Sequence, residues 1–173
     1  PLRDLFIRLA HAGLVRARWT EAIHDEWVRN VLADNTALSP DRLARTRSLM
    51  NEAVRDCLVT GYENLIESLT LPDPDDRHVV AAAIEAKATN ILTWNLRHFP
   101  ALVLKADGLV RHTPDAFLAD LYHREPKLLL ASLANARRNL SKSGLSAGEF
   151  LNVLREQKLP QLDKRLRRHL GDL

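Results

Sequence analysis

Apolar residues recur at helical spacing along most of the chain. Leu2, Leu5, Phe6, Leu9 and Ala10 form one stripe that ends at Gly13, which predicts an amphipathic helix over 2–14. Residues 15–19 (VRARW) alternate apolar and basic side chains and predict a short strand. Thr20 is placed to cap a helix running to about Asp34 on the stripe Ile23, Trp27, Val28, Val31 and Leu32. Ser39 and Pro40 open a third helix, expected to reach about Val59 with Leu43, Leu49, Met50, Ala53, Val54 and Cys57 inward. A short helix is expected near 63–69.

The pattern then changes. From Val79 the segment VVAAAIEAKA is small and apolar on nearly every side, so this helix is expected to pack on more than one face. Residues 90–94 (NILTW) follow as a short buried strand, and helix, strand and polar turn together form the second half of a βαβ unit. A second edge strand is expected over 109–111, and Thr113-Pro114-Asp115 starts a helix to about Tyr122. Beyond residue 124 the chain reads as entirely helical, with helices near 125–140, 146–157 and 160–170 joined at 141–144 and 158–160. The fold class is therefore α/β, with a parallel sheet in the body and an α-helical C-terminal extension. No internal repeat is seen.

Charge sharpens the division. Over the 173 residues the net charge is only +3, but residues 121–173 hold 11 Lys and Arg against 5 Asp and Glu, whereas residues 1–120 hold 14 against 17. A body over 1–123 and a basic extension over 124–173 are expected, the latter suited to an anionic partner. With 46% hydrophobic and 27% charged residues the composition is that of a globular domain, not of a disordered or low-complexity chain. No apolar run reaches the roughly 20 residues of a membrane helix. A single cysteine, Cys57, rules out an internal disulfide or a cysteine-rich zinc module and fits a cytoplasmic setting; it reads as a small core residue. Neither a G-x-S-x-G elbow nor a Gly-rich phosphate loop occurs.

Candidate chemistry gathers in two places. Asp73, Asp75 and Asp76 fall within four residues at the start of the packed helix. Capping explains Asp73 well, since it precedes Pro74, and acids in a first turn favour the helix dipole. The strand 90–94 delivers Asn95, Arg97 and His98 to the carboxyl edge of the sheet, where sites of open α/β folds lie. Thr20 leads into the helix that bears Glu26, beside Trp27 at the edge of its apolar stripe. Carboxylates from separate segments meeting at one edge offer the oxygen ligands that Mg²⁺ or Mn²⁺ require.

The run LPDPDDRHVVAAAIEAKATNILTWNLRHFP (71–100) resembles the PIN-domain nucleases, specifically the VapC-type toxins of toxin–antitoxin systems. The turn Thr93-Trp94-Asn95-Leu96-Arg97-His98-Phe99 is similar to the family's polar turn, and WTEAIHDEW (19–27) resembles the helix that carries its Glu. The resemblance covers about residues 1–120. It implies a three-layer PIN-like fold and a metal-dependent endoribonuclease that hydrolyses RNA through a metal-activated water. Glu26 and Asp76, with Asp75 adjacent, are implied as metal ligands; Glu26, Asp76, Asn95 and His98 are the implied catalytic set. His98 stands where the family usually has its fourth acid, and the family's first acid belongs on an opening central strand that precedes a helix like 2–14. The chain begins at Pro1 without Met, so trimming or a late start is the expected reason that this strand is missing. Expected partners are RNA (tRNA or rRNA), a cognate antitoxin and a second copy of the chain. Arg77 and Arg97 flank the site, and Arg137, Arg138, Arg165, Arg167 and Arg168 of the tail are candidate RNA contacts. The alternative is a weak or inactive PIN scaffold that binds RNA or antitoxin.

Overall fold

The computed structural model describes residues 2–140 and 144–173. The chain is mixed α/β and mostly helical, and it divides into two compact units. One takes in the chain up to Arg16, Leu92–Trp94 and the chain from His112 onward; the other takes in Ala17–Ile91 and Asn95–Arg111. Packing thus cuts the chain at other places than the charge pattern does.

In the first unit, α1 (Leu2–His11) lays Leu5 and Leu9 into a core shared with α7 (Pro114–Arg124), α8 (Pro126–Leu140), α9 (Ala147–Glu156) and α10 (Pro160–Leu166). Gly13 ends α1 by taking φ +71°, a left-handed turn that lets the Leu14 N–H reach Leu9 O at 2.9 Å. Leu118, Leu129, Leu133, Leu159, Leu162 and Leu166 are fully buried there. Each such leucine contributes on the order of 1.5–3 kcal/mol of burial free energy. The start of α10 is capped from another helix: both oxygens of buried Asp115 accept the Gln161 N–H, at 3.1 and 3.0 Å, and Oδ1 accepts the Leu162 N–H at 3.0 Å. A carboxylate at a helix N-terminus answers the free N–H groups and the dipole together. The connection expected at 141–144 falls largely on residues 141–143, outside the described residues.

The second unit holds α2 (Glu21–Asp34), α3 (Pro40–Ala53), α4 (Glu63–Ile66), α5 (Arg77–Glu85) and α6 (Ala101–Ala106). Thr20 and Ser39 cap as expected, accepting the Ile23 and Arg42 N–H groups. The packed helix buries Val80, Ala81 and Ala82, and two small cores form around it, one with Leu71, Ile91, Phe99, Leu104 and Leu109 and one with Tyr62. Strands β1 (Asn90–Leu92) and β2 (Val110–His112) form the two-stranded sheet. Val110 N–H bonds Thr89 O and Thr93 N–H bonds His112 O, so pairing advances together along both strands and the sheet is parallel.

Four expectations are corrected. Residues 15–19 make no strand; only Trp19 forms a parallel bridge, to Leu58. The reason lies opposite: α3 stops at Ala53 rather than near Val59, Val54 turns extended, and Asp56 takes φ +53°. That turn brings only Cys57 to Val59 alongside Trp19, while the Arg18 guanidinium bonds Asp56 O. Leu49 is exposed, since α3 turns its Leu43 face to the core. On α2 the stripe from Ile23 to Leu32 is half-buried, and the wholly buried residue is His24.

His24 organises a polar core that hydrophobic patterning misses. Its Nδ1 accepts the Trp27 indole N–H at 2.8 Å, which places the ring proton on Nε2, 2.9 Å from Asn51 Oδ1. The same Asn51 oxygen accepts the Trp19 indole N–H at 2.8 Å. Cys57 packs beside Asn51, and burial pushes its thiol pKa up.

Candidate functional site

The candidate site lies wholly within the second unit. Asp73 precedes a 3-10 turn, Pro74–Asp76, that runs into α5. Its two oxygens divide their work: Oδ1 accepts the Asp75 N–H at 3.0 Å, the capping role, and Oδ2 lies 3.5 Å from His98 Nδ1. Asp76 Oδ2 is closer still, 2.7 Å from the same nitrogen. Ligand atoms of Asp73, Asp76 and His98 all lie within 4.8 Å of one another, and each of the three residues is half-buried.

His98 comes from a second 3-10 turn, Leu96–His98, just after β1. Arg111 pins that turn, its guanidinium donating to Phe99 O at 2.7 Å and to Leu96 O. The Asn95 amide nitrogen is 2.8 Å from His98 Nδ1, and the Asn95 oxygen accepts the Arg97 Nε–H at 3.2 Å. With its proton on Nδ1, His98 donates to Asp76. With the proton on Nε2, Nδ1 presents a lone pair beside two carboxylate oxygens, which is a donor set for a divalent cation.

The other expected residues stand apart from this group. Asp75 is exposed, and its carboxylate is not among the three converging ligands. Glu26 Oε2 lies 3.6 Å from His78 Nε2, and among the described residues His78 Nδ1 is buried without a hydrogen-bond partner. Arg77 Nε donates to Pro74 O at 2.9 Å, closing the turn that carries the acids. Sequence reasoning assigned Asp73 to capping and did not place it with Asp76 and His98. The available signal was that a capping carboxylate keeps a second oxygen.

The tail arginines differ among themselves. Arg137 Nε donates to Leu173 O at 2.6 Å and its Nη1 to Leu145 O, so most of its fork is tied to backbone. Arg138 bonds the Asn135 side-chain oxygen. Arg165 donates to Gln161 O at 2.9 Å and to His123 Nε2 at 3.3 Å, and Arg168 to Arg165 O at 3.3 Å. Arg167 and Arg155 both bond buried Asp163. No helix among the described residues is long and apolar enough to cross a membrane.

Two carboxylates and an imidazole gathered at the start of a helix, in a mixed α/β chain, define the class of site that suits a divalent cation. Comparison with known proteins agrees with the resemblance read from 71–100. Residues 114–168 match the family model of the VapC50 C-terminal domain. Over 111 residues, covering 62% of this chain, the sequence is 34% identical to the curated "Putative ribonuclease VapC50" of Mycobacterium tuberculosis (strain ATCC 25618 / H37Rv). The chain spans 63% of that relative's length. No solved structure matches it. Over the matched residues the chain is similar to VapC-type proteins.

Proposed function

We propose that this chain is a metal-dependent endoribonuclease of the VapC toxin type, cutting RNA phosphodiester bonds at the Asp73–Asp76–His98 group. The observation that carries the reading is the convergence of two carboxylate oxygens and one imidazole nitrogen within 4.8 Å. The relative's name, a ribonuclease, supports the choice of reaction.

The donor set fits a divalent cation, and its mixed oxygen and nitrogen character favours Mn²⁺ over Mg²⁺. Asp73, Asp76 and His98 would hold the ion, with Glu26 and Asp75 as supporting acids. When bound, such an ion lowers the pKa of water and offsets phosphate charge. The remaining work falls to the chain. Asn95 orients His98 and presents a neutral amide to substrate or water. Arg97 and Arg77 flank the acids and supply guanidinium N–H groups to neighbouring phosphates. Arg138, Arg165 and Arg168, with what is left of the Arg137 fork, supply a salt-sensitive hold on the RNA backbone. Unpaired loops of tRNA or rRNA are the preferred substrates, because their backbone and bases are accessible. A PIN-like three-layer arrangement, a cytoplasmic setting, a cognate antitoxin and self-association belong to the same reading.

The test is cleavage of total tRNA and rRNA with Mn²⁺ and with EDTA, beside Asp76→Ala. Cutting that needs the metal and is lost in the variant is expected. One observation favours a second reading: the converging group holds only two carboxylates, and Glu26 contacts His78 instead. A scaffold that binds RNA or antitoxin without cutting would retain RNA affinity and show no metal-dependent cleavage.

A further inference from the structure

Helices α1 and α8 pack through Leu5, Leu9, Leu129 and Leu133. Beside that seam lies a cavity of about 320 Å³ lined by Arg8, His11 and Ala12 from one side and Ser132, Asn135 and Asn139 from the other. The spacing explains the lining. Residues 8, 11 and 12 share one face at the end of the first helix, and 132, 135 and 139 share one face of the second. Ala12 leaves the space open because its methyl group is too short to cross it.

The lining is chemically one-sided. Among the described residues no carboxylate borders the cavity. Among the described residues neither Arg8 nor His11 has an acidic partner, although other basic groups of this unit, Arg3, Arg155 and Arg167, do. Asn135 is turned by its neighbour: its side-chain oxygen accepts from Arg138, so its NH₂ is left to donate. Asn139 gives one N–H to Asn135 O at 2.7 Å and keeps the other. Ser132 borders the same space and is itself buried, at 6% exposure. A guanidinium, an imidazole, two amide donors and a hydroxyl around a space of this size form a receptor for a tetrahedral oxyanion.

We propose that this groove is a phosphate subsite for single-stranded RNA, in a different unit of the chain from the acid group. The choice of RNA rests on the nuclease reading; the anion chemistry rests on the lining alone. Arg8 pairs with a phosphate, and Asn135, Asn139 and Ser132 bond its remaining oxygens or the adjoining ribose hydroxyls.

The experiment is NMR and calorimetric titration of the full chain in EDTA, so that cleavage plays no part. The probes are inorganic phosphate, hexauridylate and hexaglutamate. Hexauridylate is expected to shift the Arg8, Ser132, Asn135 and Asn139 resonances. Arg8→Gln is expected to weaken its binding at least fivefold and to reduce the salt slope by about one. Ala12→Leu, at an exposed position, fills the groove and is expected to weaken binding similarly with an unchanged melting temperature. Asp76→Asn is expected to leave this binding intact, and a parent chain that binds RNA here yet shows no metal-dependent cleavage overturns the nuclease reading and not the subsite. Unchanged affinity in both groove variants overturns the subsite. Hexaglutamate binding as tightly as hexauridylate overturns RNA as its ligand in favour of an acidic peptide.

Discussion

Asp76 Oδ2 lies 2.7 Å from His98 Nδ1, although 22 residues separate the two in sequence. The contact ties the start of α5 to the turn after β1, and Asp73 joins it from 3.5 Å. Every account of this site turns on that imidazole. A neutral imidazole would bring no charge, so a cation held here would depend on both aspartates for charge balance.

Asp73 and Asp75 separate the structural reading from the sequence reading. Asp73→Asn keeps an oxygen for capping and loses the carboxylate charge beside His98. It is expected to weaken Mn²⁺ binding by about tenfold or more, and Asp75→Asn by less than threefold. Calorimetric titration of Mn²⁺ into each variant checks this; a larger loss for Asp75→Asn would contradict it.

Asn51 is expected to matter for stability out of proportion to its exposure. Its side-chain oxygen accepts from both Trp19 and His24, and Asn51→Ala leaves two donors unpaired. A loss of about 2–4 kcal/mol in urea unfolding is expected. A loss below about 1 kcal/mol would show that these groups find other partners.

Burial raises the Cys57 thiol above its ordinary value of about 8.5. At alkaline pH the unfolded chain releases this proton and the folded chain keeps it. The contribution to stability is therefore whole below the ordinary thiol value and declines as pH rises toward the folded value. Comparison of unfolding at pH 7.5 and pH 9.5 for the parent chain and Cys57→Ala is expected to show a smaller decline in the variant. Equal declines would contradict the assignment.

Arg137 and Arg168 are expected to behave differently. Arg137 holds Leu173 O and Leu145 O, so Arg137→Ala is expected to lower the melting temperature. Among the described residues Arg168 is tied through its Nε to Arg165 O, so Arg168→Ala is expected to weaken RNA binding with a shallower salt slope. Melting and salt-dependent binding curves for both variants decide the matter.

The acid-bearing turn, the small-residue helix and the polar turn after β1 were legible because capping residues, Pro and short-range periodicity determine them. The caps at Thr20 and Ser39 follow from the same local chemistry. What was not legible depends on residues distant in sequence. The end of α3 and the single Trp19–Leu58 bridge depend on the left-handed turn at Asp56. The buried His24 follows from two indole donors and one amide, which no stripe of apolar residues reveals. The charge change near 123 reflects surface composition, whereas the compact units follow the cores, in which α1 packs with the C-terminal helices.

The central claim is tested most directly by incubating total tRNA and rRNA with the chain in Mn²⁺, in EDTA, and with Asp76→Ala and His98→Ala in place of the parent. Discrete cleavage in Mn²⁺ alone, reduced at least about 100-fold in Asp76→Ala and at least about tenfold in His98→Ala, is the expected result. Cleavage that persists in EDTA or survives Asp76→Ala would contradict a metal-dependent nuclease built on this group.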